Sequence, residues 1–446
     1  MLPQSSEYVL SERREHSLYV IQNRAIPSIC DGLKNAARRV LYMARNGDKY
    51  KTAVLSGNSL ILHPHSVPDG AINTLTAPFS NNIPLFTGIG AFGTLLNPNE
   101  YGASRYTSVK LSKFSHDVLM VDSDIVPMID NYDSTIKEPE HFLPLIPICL
   151  LNQTQGIAVG FATNILPRLL DDIINAQLLH LQGKDFKEIE PKFKPLESYC
   201  ISKEKTETGY SYTFEGEFKR IDSSNLKITK LPYGLLHEKV IKKIDNEIDK
   251  NGNVLDYTDS SSNTIDIVIK FKKGTLSNIT DESIKKMFGL VITHNENLNV
   301  LDISGKKVLN TTSSNIIKIF TDWRLSYFPI RYQRLLDLLN IDISKYNDLI
   351  LCCEKDLPKF LVKIESKSEL CELLEDFGVV NIDYISTLPV YRFTTNECNK
   401  IRNQLKEALV LKSKYELIIS NVNEQIKIYT SELKQILTNY NKGKYN

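Results

Sequence analysis

The sequence predicts an α+β chain, and three observations predict it. Residues 8 to 50 read as two helices around a turn. Residues 195 to 312 carry strand patterning, and the last third is helical with a heptad seam. At ~150 residues per domain, a chain of 446 residues makes about three domains.

Ser11 to Asn23 is helical in pattern, and Pro27 with Asp31-Gly32 ends it. A second helix follows, with Leu33, Ala37, Val40, Leu41 and Ala44 on one side and a stop at Gly47. At ~100° per residue, Lys34, Arg38 and Arg45 fall on one stripe beside that apolar face, and Arg39 lies further round. Helix, turn and cation-bearing helix is the layout of a DNA-binding helix-turn-helix, and also of many helical hairpins. Seven basic residues between Arg24 and Lys51 face only Asp31 and Asp48. A chain of net charge +1 therefore still holds one concentrated cationic segment, which is all that phosphate neutralisation requires. On charge alone, a solvated helix face is the plainer reading.

Further along, Ile265, Ile267, Ile269 and Phe271 alternate with polar residues, as do Leu226, Ile228 and Leu231 before Pro232. Ser304-Gly305 marks a hairpin turn between the segments DI and KKV. Together they make an α+β insert with its own small core.

After Thr394-x-x-Glu397, a capping box, apolar or aromatic residues recur at Ile401, Leu405, Ala408, Tyr415, Ile419, Val422, Ile426, Tyr429, Leu433 and Ile436. Steps of four and three, with Lys412 in the one missing place, define a heptad seam and a coiled-coil arm. A second arm runs through Phe328, Tyr332, Leu335, Leu339, Tyr346 and Leu349, started or kinked by Pro329. Two helices of an ordinary bundle explain the same heptads.

Seven scattered cysteines without a CxxC pair point to reduced thiols. No apolar run reaches membrane-spanning length and the polar start is no signal peptide, so the expected location is a cytoplasm. No Walker loop and no paired-Asp metal motif is present, so ATP and metal are not expected in this chain.

Four segments carry the chemistry: NRAIPSICDGLKNAARRVLY (23–42), LHPHS (62–66), PLFTGIGAFGT…ASRYTSVKL (84–111) and LLNQTQGIAVGFATNILP (150–167). In this order and spacing they resemble the breakage-reunion subunit of type IIA DNA topoisomerases, whose gyrase A-like members carry similar RA-P-DGLK-RR, HPH, GxGxFG, RYT and GIAVG-AT blocks. Length, the Met1 start and the lack of a downstream β-rich domain look closest to the separate medium subunit of T-even bacteriophage enzymes. The blocks cover residues 18 to 170; beyond them ITKLPYG and FTDWRLSYFPIRYQR are looser matches.

The resemblance implies that Tyr106 is a nucleophile forming a covalent 5′-phosphotyrosine, with Arg105 as its transition-state partner. A phenol ionises only near pH ~10, so it needs a close cation to act at neutral pH. Attack on phosphorus builds charge on non-bridging oxygens, which Arg and His donors stabilise. Arg24, His63 and His65 resemble the family's groups around the scissile phosphate, and Lys34, Arg38 and Arg39 its duplex-backbone contacts. Ile157 matches the isoleucine that wedges between bases and kinks the duplex.

Each residue also has a plainer reading. Tyr106 alone could be a half-buried structural tyrosine, and Ile157 a buried strand residue. His63 and His65 could be zinc ligands, though no cysteine lies near, or could cap the turn at Pro64. Gly88, Gly90 and Gly93 have dinucleotide spacing in a poor strand–turn–helix context, so a loop approaching DNA is the better account. The sequence departs from the family at Ser66-Val67-Pro68, where Gly and an acidic residue are usual, just before the expected recognition helix.

The resemblance further implies a winged-helix cleavage domain over 1–190, a tower-like α+β domain over 191–315, and antiparallel coiled-coil arms ending in a dimer gate over 316–446. It implies double-stranded DNA as substrate, a homodimer, and a Toprim/ATPase large subunit that binds both Mg²⁺ and ATP. The location would be the host cytoplasm if the chain is phage-encoded. The competing expectations are a non-catalytic winged-helix architectural DNA-binding protein and a piece of a fused, eukaryote-like enzyme.

Overall fold

The computed structural model describes residues 5–64, 68–207, 209–250 and 252–445. The chain divides into two compact units, Met1–Arg324 with Thr430–Asn446, and Leu325–Tyr429.

In the first unit, helix α1 (Ser5–Val20) runs into one wide π turn, Ile21–Ala25, which ends the helix ahead of Pro27. Helix α2 (Asn35–Ala44) buries Val40, Leu41 and Ala44, the apolar side read from the sequence. Strand β1 (Tyr50–Lys51), helices α3 (Thr52–Ser59) and α4 (Asp69–Thr76), and strands β2 (Phe86–Ile89) and β3 (Ser108–Leu111) follow. The three strands form an antiparallel sheet with β3 in the centre. Strands β4 (Met128–Asp130) and β5 (Lys137–Pro139) form one hairpin, and β6 (Thr154–Ala158) and β7 (Phe161–Ile165) form another. Helix α5 (Leu170–Leu181) closes this part.

Strands β8 (Lys192–Phe193), β9 (Ser198–Lys205), β10 (Tyr210–Glu215), β11 (Glu217–Arg220) and β12 (Asn225–Lys230) come next. Helix α6 (His237–Asp249), strands β13 (Val254–Asp259) and β14 (Ile267–Phe271), helix α7 (Asp281–Phe288) and strand β15 (Val291–Glu296) complete two four-stranded sheets, ordered β15-β10-β9-β8 and β11-β12-β14-β13. The predicted alternation is realised. Leu226, Ile228, Ile267, Ile269 and Phe271 share a core with Val240 and Ile244 of α6 and Ile284 and Phe288 of α7. Each such side chain contributes roughly 1.5–3 kcal/mol of burial. Strands β16 (Asn299–Leu301) and β17 (Val308–Asn310) form the predicted hairpin around Gly305, whose φ is 68°.

Helix α8 (Ser313–Leu325) begins on a carboxylate. Glu188 accepts hydrogen bonds from the amide and hydroxyl of Ser313 and the hydroxyl of Ser314. Burial opposes its charge, but these donors outweigh it and hold the carboxyl below the usual range. A folded-state pKa below the unfolded one gives stability that is present above the unfolded value and is lost as pH falls through the folded value. Glu188→Gln is therefore expected to flatten the loss of unfolding free energy below about pH 4. Denaturant titrations of both forms across pH 3 to 6 would check it; equal slopes would mean Glu188 is not the group responsible.

In the second unit, helix α9 (Phe328–Glu354) carries Pro329 in its first turn, as its missing N–H allows. Helices α10 (Leu357–Leu361), α11 (Lys367–Phe377) and α12 (Ile382–Ser386) form a small cluster around Leu374 and Ile385. Helix α13 (Thr395–Ser420) then returns antiparallel to α9. Tyr332 meets Tyr415 at 5.4 Å, while Arg402 pairs with Glu354. Helix α14 (Val422–Asn441) carries the chain onward.

Two details correct the sequence reading. The seam is not continuous, because Asn421 is extended (φ −123°, ψ 107°) and separates α13 from α14. Its side chain accepts from the Asn423 amide and starts a new helix. The buried line therefore shifts to Ile418 and Gln425, and Val422 is exposed. Nor is Thr394 a capping box: its hydroxyl donates to Tyr391 O, and Glu397 is taken by Arg392 and Lys400.

Candidate active site

Tyr106 lies in the long connection from β2 to β3, two residues before β3 begins. Its side chain is 71% exposed, which removes the structural-tyrosine reading. The backbone beneath it is held firmly. The amides of Thr52 and Ala53 at the start of α3 donate to Thr107 O and Ser104 O. The buried Thr107 hydroxyl donates to the Thr52 hydroxyl at 2.8 Å. The Arg105 guanidinium lies 4.8 Å from the centroid of the Tyr106 ring, and Lys51 Nζ donates to Tyr106 O at 3.5 Å. The result is an exposed phenol on a pinned backbone, with Arg105 against its ring and Lys51 at its carbonyl.

Gly88 sits in β2 rather than in a loop. A Cβ there would come within 2.4 Å of the Phe92 ring and 2.6 Å of Thr76 in α4. This glycine serves close packing of α4 on the sheet, and no helix follows it as a dinucleotide fold would need.

A second cluster gathers around Tyr19. Its hydroxyl is 2.9 Å from His63 Nε2, and the Arg24 guanidinium lies 5.5 Å from its ring centroid. Tyr132 meets the His63 ring edge-on at 5.4 Å. Folding therefore brings Arg24 and His63 together, although they are far apart in sequence. No sequence signal marked Tyr19 or Tyr132, and Lys51 stood out only as one of the seven basic residues of the cationic segment. His65 lies outside the described residues, and so do Ser66 and Val67 of the departure from the family pattern. Among the described residues, Arg105 lies against the Tyr106 ring and Lys51 bonds the Tyr106 carbonyl, while Arg24 and His63 gather at Tyr19.

The β6–β7 hairpin stands beside the Arg24 turn. Gly156 makes this possible, since a Cβ there would lie 1.9 Å from Ala25 O. Lys34 Nζ donates to Gln155 O, and burial lowers its pKa. At the tip, Ile157 is 87% exposed, next to Val159 at 62% and Phe161 at 43%. Ile157 is in a strand but is not buried, so the plainer reading of it fails. A contiguous apolar tip in water marks a surface made for contact.

The predicted cationic stripe changes most. Arg38 is buried, with Nε 2.6 Å from Asp31 Oδ2 and a further bond to Asn35. Arg39 is bound at two points to Glu138, at 2.6 and 2.8 Å. Arg45 turns back over the Tyr42 ring at 3.6 Å. Asp31 also accepts from the amides of Leu33 and Phe142, so the DGLK block is the hub of a buried network rather than an open phosphate surface.

The fold and site thus define a mixed α/β protein that presents the exposed Tyr106 on the connection leading into the central strand of a three-stranded sheet. Residues 24–434 match the profile of the DNA gyrase/topoisomerase IV A subunits, and the chain belongs to that family. The DNA topoisomerase medium subunit of Enterobacteria phage T4 is 26% identical over 445 residues, covering 96% of this chain and 97% of that protein. The A subunit of DNA topoisomerase 4 from Borreliella burgdorferi is 27% identical over 95% of this chain and 66% of its own length. DNA topoisomerase 2-beta of Mus musculus is 30% identical over 80% of this chain, which spans 23% of that protein.

Proposed function

We propose that this chain is the DNA breakage and rejoining subunit of an ATP-dependent type II topoisomerase. The observation that carries the reading is the exposed Tyr106, pinned at its backbone and flanked by Arg105 and Lys51. The Tyr106 oxygen attacks a backbone phosphorus as the bond to the 3′ oxygen breaks. The phenol gives up its proton, the 3′ hydroxyl leaves protonated, and the enzyme holds a 5′-phosphotyrosine. Arg105 stabilises the charge that grows on the non-bridging oxygens. The new ester keeps the energy of the old one, so rejoining needs only the 3′ hydroxyl to return. Arg24 and His63 act around the same phosphate, and by its place in the motif His65 is proposed for the same role. Arg24 and His63 gather at Tyr19, whereas Arg105 and Lys51 gather at Tyr106, and a second copy completing the site is the arrangement that fits.

In this reading α2, α3, α4 and the β1-β3-β2 sheet form a winged helix with α4 in the major groove, residues 191–315 a tower, and α9 with α13 the stalk of a dimer gate. With Arg38 and Arg39 held by carboxylates, Lys34 and Lys51 are the better candidates for backbone contacts. Among the described residues no three His, Cys, Asp or Glu side chains converge on a point. The family resemblance, not this absence, assigns Mg²⁺ and ATP to a Toprim/ATPase partner, and no step in this chain is routed through them. Among the described residues no helix is long and apolar enough to cross a membrane.

The test is to trap protein-linked DNA by denaturation after mixing the chain with its Toprim/ATPase partner, supercoiled plasmid and Mg²⁺. Failure of the native chain to form an adduct would favour the architectural alternative. The wedge is tested separately. Ile157→Ala should reduce DNA bending, read by energy transfer between duplex ends, because unstacking of a few kcal/mol then loses its inserted side chain. An unchanged bend angle removes Ile157 from the interface.

A further inference from the structure

The chain re-enters the first unit at Thr430, and the residues after α14 pack beside Phe114, just past the end of β3. Tyr445 is buried there. Its ring meets Phe114 edge-on at 5.4 Å, and its hydroxyl donates to Asp117 at 3.0 Å while accepting from Asn439. Lys113 holds the same Asp117, and Lys194 lies 4.7 Å from the Tyr440 ring. Lys444 and Tyr445 form one wall of a cleft of about 330 Å³ whose other walls include Thr76 of α4, Gly88 to Gly93, and Phe114. The tail therefore borders both the loop that carries Tyr106 and the end of β3.

We infer that Tyr445 is a positioning residue for Tyr106, acting through Phe114 and β3. This rests on the phosphotyrosine reading above. Strand β3 has four residues; Tyr106 precedes it by two and Phe114 follows it by three. A segment this short in a close-packed sheet transmits a shift at one end to the other. The head is fixed by Thr52 and Ala53, and beyond β3 Ser112 and Ser115 bond to Leu85 O. Tyr445 fills the side of Phe114 that these bonds leave open, and ties the next turn through Asp117. Removing the ring opens space beside Phe114 and lets the strand relax toward it. A displacement of about 1 Å at a reacting group can cost on the order of a hundred-fold in rate.

The experiment compares the full native chain with Tyr445→Ala and Tyr445→Phe, each mixed with the Toprim/ATPase partner, plasmid and Mg²⁺. Adduct formation in a single turnover should fall by ten- to a hundred-fold in the Ala variant, with DNA affinity unchanged. The Phe variant, which keeps the ring and loses the Asp117 bond, should fall in between. Amide exchange on each chain alone should speed up at 107–114 in the Ala variant. Exchange confined to 430–446, or an adduct rate that drops only with the folded fraction, overturns the inference. If the native chain itself forms no adduct, the phosphotyrosine reading fails, while the exchange result still judges the coupling between Tyr445 and β3.

Discussion

Tyr106→Phe is expected to abolish the covalent protein–DNA adduct while leaving folding and DNA binding intact. The change removes one oxygen from a ring that is mostly in solvent, and the Tyr106 contacts that hold the loop are made by backbone atoms or by the ring face. A substitution of this kind normally moves stability by no more than about 0.5 kcal/mol. In the proposed reaction the ester forms on that oxygen and has no substitute, so adduct yield should drop by several orders of magnitude. Plasmid relaxation by the assembled enzyme should vanish with it. The readout is protein retained on DNA after detergent, with melting temperature and duplex affinity as controls. Persistence of the adduct in the Phe variant would mean that another side chain is the nucleophile. Loss of duplex affinity together with the adduct would instead point to a binding role for the phenol.

How much of this was legible in the sequence depends on the range of the forces involved. Strand alternation at Ile265 to Phe271 and the apolar side of α2 are local patterns, and the structure keeps them. The Tyr106 block was legible as an ordered set of motifs, but the exposure that makes it chemically usable came only with the fold. Arg38 and Arg39 depart from the sequence reading for a physical reason. A stripe of cations on a helical wheel says nothing about carboxylates elsewhere, and Glu138 is 99 residues away from Arg39. Asp31, seven residues before Arg38, is close enough to suspect. The break at Asn421 does have a local signal: an Asn followed three residues later by Glu424 is a helix start, and it overrides a heptad count. The Tyr19 link between Arg24 and His63 left no trace, since one tyrosine in a helix has no pattern.

The second large effect concerns the support of the Ile157 hairpin. Arg168 and Glu296 are both inaccessible and paired at two points, 2.8 and 2.9 Å, at the junction of β7 with β15. Glu296 also accepts from the Leu166 amide, and Arg168 donates to Leu166 O and Ile189 O. Beside it, Asn164 and Asn297 exchange backbone bonds, and Thr163 donates to Asn299 O. Glu296→Ala leaves a guanidinium without its counter-charge where water cannot reach it, a loss of about 3–5 kcal/mol. Replacing both partners, with Arg168→Met and Glu296→Leu, removes the stranded charge and should recover much of that loss. Chemical denaturation of the single and double variants measures the difference. If the single variant is as stable as the parent, solvent reaches the pair and it does not brace the hairpin. If it is destabilised as expected, DNA bending should fall with it even though Ile157 is untouched, because the wedge can push only against a base that does not yield.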